Sequence, residues 1–248
     1  MTNALSFGQQ ARIYAKARPQ YPAALYDWIA QNSPGHNMVW DVGTGSGQAA
    51  ISLADRFEQV HATDISQDQI YAAQGRSNIT YEVAPAQSSG LEENSADAIT
   101  VATAVHWFAD TAFWSEVGRV ATSKALFCAW TYKLMACGPD IHQDFLDPLY
   151  ALIDPYWARG NRICMEGYSS ENLNCPFTAI ETPEFDAGGV WSADQIADFA
   201  LSWSAHLRAR KDGKADILEN LRQSFLAKYK DQEIAVSLPM SLLAAHIN

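Results

Sequence analysis

The apolar positions of this chain switch repeatedly between two periods. Met38 to Val42 is a short apolar run closed by glycines, and it predicts a buried strand. Ala50, Leu53, Ala54 and Phe57 then share one face at helical spacing, which predicts a helix from about Gln48 to Phe57. A second strand is predicted at Val60–Ile65. Ser66-x-x-Gln69 forms a capping box that starts a helix with Ile70 and Ala73 inward, ending at Gly75. Ile79–Val83 reads as a third strand. Asp97–Ala104 reads as a continuous apolar stretch, as expected of a central strand buried on both faces. Asp110 caps the next helix, with Phe113, Trp114, Val117 and Val120 inward, and Lys124–Tyr132 is the fifth strand. Strands alternating with helices predict an α/β fold: a doubly wound, Rossmann-like, mostly parallel sheet with helices on both faces.

The flanks follow different rules. Residues 1–21 are aromatic, basic and punctuated by proline, with a helix predicted from Gln9 to Ala17 that stops before Pro19. Pro22 opens a helix with Leu25, Trp28 and Ile29 on its apolar face, ending near Ser33-Pro34-Gly35. Residues 133–190 break the alternation and are rich in Pro, Gly and aromatics. They predict a cap inserted after strand five: a helical part from about Asp140 to Ala158, an ordered loop, then a strand from about Ile180 to Ala187. Ser192-x-x-Gln195 is a second capping box, starting a helix with Ile196, Phe199, Ala200 and Trp203 inward. A further helix is expected at Ala215–Tyr229 and a last strand at Ile234–Ile247, where Pro239 argues for an edge position or a bulge. The expected sheet then has seven strands. The chain is expected to form one domain over 1–248: an N-terminal lid (1–21), a core (22–132), a substrate-side cap (133–190) and C-terminal helices with the last strand (191–248).

Composition narrows the partners. Seventeen Lys and Arg against 28 Asp and Glu give a net charge of −11, which argues against nucleic acid or an anionic membrane as main partner. The four cysteines form no C-x-x-C pair, so neither a disulfide framework nor a zinc site is expected, and no metal is. There is no basic-then-apolar leader pattern and no apolar run of membrane-spanning length, so a soluble cytoplasmic protein is expected. Oligomeric state is not readable.

Candidate chemistry centres on Asp41-Val-Gly43-Thr-Gly45-Ser-Gly47, between the first strand and its helix. Alternate glycines let a backbone turn sharply and approach a ligand closely, and the following helix start presents unpaired N–H groups. The spacing is G-x-G-x-G, not the G-x-G-x-x-G usual for dinucleotides. No Gly-Lys-Ser/Thr follows, so it is not a phosphate-cradling P-loop. An acid at the strand end suits a cation such as an amino acid's ammonium group better than a pyrophosphate. Asp64 closes the second strand about 20 residues on, where a carboxylate accepts ribose hydroxyls.

These features resemble the class I S-adenosylmethionine-dependent methyltransferases: Asp41, Gly43, Gly45 and Gly47 look like the first motif of that family, and Asp64 like its ribose-binding acid. The run Tyr14 … Arg18-Pro19-x-Tyr21-Pro22 and the run Val101–Phe108 resemble a subfamily that includes trans-aconitate methyltransferases. That resemblance implies cofactor contacts at Ile65 and Ala104, and at Tyr14 and Arg18 in a lid over the methionine end. Arg18 would hold the carboxylate. Where the family often has an acid, this chain has Pro85, and Gln87 stands for a Glu. Adenine recognition then falls to backbone near Ala86 or to the Gln87 amide. Thr103 stands where the subfamily commonly has Gln.

Ligands of such sheets bind beyond the carboxyl ends of the strands, which puts His106 and Trp107 where a methyl acceptor should lie. Methyl transfer from a sulfonium is an in-line displacement that needs alignment and dryness, and a base only when the acceptor carries a proton. A small carboxylate acceptor needs cationic anchors, for which Lys133, Arg159 and Arg162 are candidates. A phenol, thiol or amine makes His106 a candidate base. Tyr132 and Trp157, with Tyr156 and Tyr168, fit a dry aromatic pocket. Two other classes stay open: a non-catalytic S-adenosylmethionine-binding module and an NAD-dependent oxidoreductase.

Overall fold

The computed structural model describes residues 19–247. The chain divides into two compact units: one from Gln20–Lys133, Ile163–Phe185 and Met240–Asn248, the other containing Leu134–Arg162 and Asp186–Pro239. Tyr14, Arg18 and the helix expected at Gln9–Ala17 lie outside the described residues.

The first unit is built on a sheet. Its strands are β1 (Met38–Val42), β2 (Gln59–Asp64), β3 (Ile79–Val83), β4 (Ala96–Ala102), β5 (Ala121–Tyr132) and β8 (Met240–His246), in the order β3-β2-β1-β4-β5-β8. Every pairing is parallel except β5 with β8. This is the expected α/β, Rossmann-like fold, and its order reverses between β1 and β4, the switch point at which such sheets bind ligands. β1 and β4 are buried almost end to end, which explains why they read as unbroken apolar runs. The core joins Trp40, Ile99 and Val101 of the sheet to Phe113, Val117 and Val120 of the helix Thr111–Val120. Asp110 caps that helix by accepting the Phe113 N–H at 2.8 Å.

Several expectations are corrected. Six described strands form the sheet, against seven expected. Where a seventh would lie beside β8, no strand forms over the predicted 180–187: there are only isolated antiparallel bridges, Ala179 with Ala245 before it and Asp186 with Pro239 near its end. Pro183 sits in the middle of that segment and has no N–H to give a ladder. The predicted strand 234–247 is two strands, β7 (Glu233–Val236) and β8, broken at Ser237–Pro239, and the two halves join different sheets. The helix predicted to reach Phe57 stops at Leu53, and the Asn78 amide then caps the turn by donating to the Ala54 and Phe57 carbonyls. The helix after Ser66 ends at Ala72, not Gly75, and buries no residue fully. β4 ends at Ala102 because Thr103 turns the chain with φ 53°, its N–H donating to the Trp130 carbonyl at 2.7 Å. An additional helix, Arg159–Glu166, occupies part of what reads as loop.

The second unit is helical, with a two-stranded antiparallel ribbon of β6 (Gly189–Ser192) and β7. The predicted capping box is present: Ser192 Oγ accepts the Gln195 N–H and Gln195 Oε1 accepts the Ser192 N–H. It opens the helix Ala193–Leu201. Trp203 lies beyond that helix but is buried, packed on Tyr150, Phe199 and Trp157. Phe145 stacks on Phe225 of the helix Ala215–Tyr229, with ring centroids 4.2 Å apart.

Candidate functional site

Because β1 to β5 run parallel, their carboxyl ends share one edge of the sheet. That edge gathers the glycine loop after β1, Asp64 and Ile65 after β2, Ala84–Gln87 after β3 and Thr103–Phe108 after β4. Gly43, Gly45 and Gly47 all have positive φ (65°, 57° and 81°), and their surroundings differ. A Cβ on Gly43 would lie 2.9 Å from the Ala104 Cβ, so this glycine lets the β1 and β4 loops close on each other. A Cβ on Gly47 would lie 2.2 Å from the Tyr81 hydroxyl oxygen. A Cβ on Gly45 would meet only Gln69 Oε1, at 3.9 Å, an ordinary contact. Gly43 and Gly47 thus make room for side chains of other segments, and Gly45 does not.

Asp64 ties the loop in place. Its Oδ2 accepts the Gly45 N–H at 2.9 Å and its Oδ1 accepts the Ser66 N–H at 2.8 Å. Each oxygen keeps acceptor capacity beyond one hydrogen bond. Beside it Ile65 is 79% exposed, and Val83, its neighbour at the end of β3, is also exposed. Two apolar side chains next to a carboxylate and a bare glycine loop fit an adenosine: a flat apolar face for the base, an acceptor pair for the ribose. Gln87 is nearby but its amide nitrogen is already given to Asp110 Oδ2 at 3.1 Å, and Ala86 is half-buried.

Asp41 is bonded inward in this structure. It is 0% exposed, and its two oxygens accept the hydroxyls of Thr44 (2.6 Å) and Thr100 (3.0 Å). Burial pushes its pKa up to about 6, with the two hydroxyls acting against that rise. The carboxylate braces the loop against β4.

His106 lies in a short turn, Val105–Trp107, just past β4. Its Nδ1 is 2.7 Å from the Tyr168 hydroxyl, and Cys164 Sγ is 3.2 Å from the same nitrogen. Trp107 packs on the imidazole (centroids 4.6 Å) and is 58% exposed. Thr103 Oγ1 pairs with the Tyr21 hydroxyl at 3.0 Å, and Tyr21 packs on Trp130 and Tyr132. A non-glycine residue with positive φ is uncommon, and for a β-branched one it marks strain of the kind that collects at functional sites. Of the expected acceptor residues, His106, Trp107 and Tyr132 belong to the sheet unit. Trp157, Arg159 and Arg162 belong to the other unit. Arg162 is engaged there by Asp154, through its carboxylate (3.3 Å) and its carbonyl (3.0 Å). Cys164 is a partner that the sequence does not single out for this site. No local spacing links Cys164 or Tyr168 to His106, 58 and 62 positions away.

The comparisons with known proteins agree with this edge. Residues 40–129 match a family described as a methyltransferase domain. A solved structure named as a Type II methyltransferase, from Anaeromyxobacter dehalogenans, is 34% identical, with a TM-score of 0.84 over 93% of this chain and 98% of that one. A protein of Dictyostelium discoideum named as a methyltransferase is 28% identical over 96% of this chain and 93% of its own. One of Saccharomyces cerevisiae, named as an S-adenosylmethionine-dependent methyltransferase, is 26% identical over 88% of this chain and 87% of its own. The fold and the site define a nucleoside-binding α/β enzyme. The chain belongs to the class I S-adenosylmethionine-dependent methyltransferases. The family acts on a methyl acceptor, and membership removes the oxidoreductase reading of the glycine loop. Among the described residues no helix is long and apolar enough to cross a membrane.

Proposed function

We propose that this methyltransferase acts on a small-molecule acceptor carrying an ionisable proton, a phenol, thiol or amine, bound beyond the end of β4 with His106 as its base. The carrying observation is the placement of His106: it follows β4 directly, beside Ala104, which packs against Gly43 of the cofactor loop. S-adenosylmethionine, when bound, supplies a methyl group already activated on a sulfonium, and S-adenosylhomocysteine is the product. The chain's own residues hold and dry the site. Asp64 accepts the ribose hydroxyls, Ile65 and Val83 form the apolar shelf for the base, and Gly45 gives the backbone approach. Ala86 and Gln87 border the adenine. Tyr14 and Arg18 are proposed for the methionine end. The exposed Trp107 ring offers a flat wall for the acceptor, and Tyr132 a further aromatic one. His106 takes up the acceptor's proton.

O-methylation of a small carboxylate is the competing chemistry, with Trp157, Arg159 and Arg162 on the acceptor. The Arg162 contact with Asp154 weighs against it, because that guanidinium already has a carboxylate partner. The test is in two stages. Melting temperature is measured with S-adenosylmethionine, S-adenosylhomocysteine and NAD, each at about 100 times a micromolar-range dissociation constant, where binding stabilises by roughly 2.7 kcal/mol. A rise with the two adenosyl ligands, lost in Asp64→Ala, is expected. Phenols, thiols, amines and carboxylic acids are then screened as acceptors. Turnover of carboxylic acids alone, unaffected in His106→Asn and lost in Arg159→Ala, would refute the protic-acceptor reading.

A further inference from the structure

The loop after β3 stands on a fixed base. The Ser88 N–H donates to the Pro85 carbonyl at 3.0 Å, so Pro85–Ser88 is a tight turn with Ala86 and Gln87 at its corner. Beyond the turn, the helix Thr111–Val120 grips the chain. Glu116 Oε1 accepts the Ser89 N–H at 2.8 Å and the Ser89 hydroxyl at 2.6 Å. Arg119 donates to the Leu91 carbonyl at 2.8 Å and pairs with both Glu116 oxygens at 2.7 Å. His61 Nε2 lies 2.7 Å from the Ser89 carbonyl. The corner residues are therefore presented from a segment that is held on both sides.

The direction of the Gln87 amide follows from its partner. Gln87 Nε2 donates to Asp110 Oδ2 at 3.1 Å, while Asp110 Oδ1 accepts the Phe113 N–H at 2.8 Å. A carboxylate offers acceptors only, so the amide must turn its NH2 end toward Asp110. Oε1 is then the end left over, and among the described residues it has no hydrogen-bond partner. The pair sits at the rim of the site. The Asp110 N–H donates to the Phe108 carbonyl at 2.7 Å, and the Phe108 ring is what a Cβ on Gly43 would meet at 3.3 Å. Gln87 thus ties the loop after β3 to the loop after β4 where that loop meets the glycine loop. It lies four residues past the exposed Val83.

We infer that Gln87 Oε1 is the acceptor for the 6-amino group of the cofactor's adenine, and that Asp110 is the positioning residue that makes it an acceptor, an assignment that rests on the adenosyl reading of this edge and adds which atom selects the base. Adenine carries hydrogens at position 6, whereas 6-oxo purines carry an acceptor there. An amide whose NH2 end is fixed elsewhere bonds the first and meets the second oxygen to oxygen. A neutral amide is selective only while a partner keeps it from turning over, because its two ends are nearly the same size. Asp110 supplies that partner. Pro85, with neither a side-chain acceptor nor an N–H, leaves the selection to Gln87.

Calorimetry on the full chain tests this without turnover, using S-adenosylhomocysteine and its 6-oxo counterpart S-inosylhomocysteine. The wild type should bind the amino ligand about tenfold more tightly or better, the worth of a hydrogen bond made against one replaced by a clash of like groups. In Gln87→Ala that ratio should shrink severalfold. Asp110→Asn keeps the helix cap, since Asn caps as well as Asp. Its oxygen must face the Phe113 N–H, which sets its NH2 opposite Gln87. The Gln87 amide then turns over and offers Nε2 in place of Oε1. The ratio should therefore pass the Gln87→Ala value and move further toward the 6-oxo ligand. A merely structural role would weaken both ligands alike. An unchanged ratio in Gln87→Ala would overturn the inference, and because this variant alters only a half-buried turn corner it decides the matter even if Asp110→Asn does not fold. A ratio in Asp110→Asn no lower than in Gln87→Ala would overturn the role of Asp110. Failure of the wild type to bind either ligand would instead overturn the adenosyl reading beneath both.

Discussion

Asp41 shows how a residue in a motif acquires its role from its surroundings. At the end of a strand, in front of three glycines, an acid suggests a cation contact. In the fold it is fully buried and bonded by two threonine hydroxyls. Its pKa, raised from 3.8 to about 6 chiefly by burial, means the folded state binds its proton more tightly than the unfolded chain. The stability it contributes is present below about pH 4 and lost as pH rises through about 6. Asp41→Asn should therefore match the wild type in stability near pH 4 and exceed it above pH 7, by up to about 3 kcal/mol. Urea midpoints across that range check this. A difference that stays flat with pH would mean the carboxylate is not carrying the burial cost. Gly45 and Asp64 meet because β1 and β2 pair in parallel, which sets the loop after one beside the acid that ends the other. His106 draws its partners Cys164 and Tyr168 from a distant segment.

Elements follow their local signals until proline or a tertiary partner intervenes. The capping box at Ser192 forms as the spacing predicts, because its two hydrogen bonds close within four residues. Ser192→Ala should cost about 1 kcal/mol, measured by urea unfolding, with Gln195→Ala costing part of the same energy and not adding to it fully. Strictly additive losses would show that the two bonds do not act as one cap. The C-terminal apolar stretch reads as one strand through 234–247, yet the chain is cut at Pro239 and its halves pair with β6 and β5. Periodicity reports which residues will be buried; it does not report against which partner. The helix Arg159–Glu166 is missed for a related reason: it buries no residue fully, and Gly160 in its first turn argues against a helix.

At the scale of the whole molecule, burial sets a pH limit that composition does not reveal. His206 is buried, and its Nδ1 has no hydrogen-bond partner among the described residues. Its pKa falls from 6.5 to about 4, first by burial and then by the nearby Arg210. The unfolded chain therefore binds the proton that the folded one refuses. Stability is undiminished above about pH 6.5 and drains away as pH falls toward 4, by up to about 3 kcal/mol. His206→Leu should flatten that decline, raising the urea midpoint at pH 5 more than at pH 7.5. An equal rise at both would place the effect in packing alone.

The sequence by itself determined the α/β alternation, the glycine loop, an acid at the end of the second strand and the position of His106 past a central strand. All of these depend on spacing within one strand, one loop or one helix turn, where covalent connection fixes what meets what. The tertiary structure decided that Asp41 is a buried brace, that Gly43 and Gly47 make room for side chains of other segments, and that Tyr168 and Cys164 surround His106. Those contacts join residues up to 62 positions apart. The loop contacts exist because parallel strands bring their carboxyl ends to one edge of a sheet, and the His106 contacts because a segment far along the chain packs there.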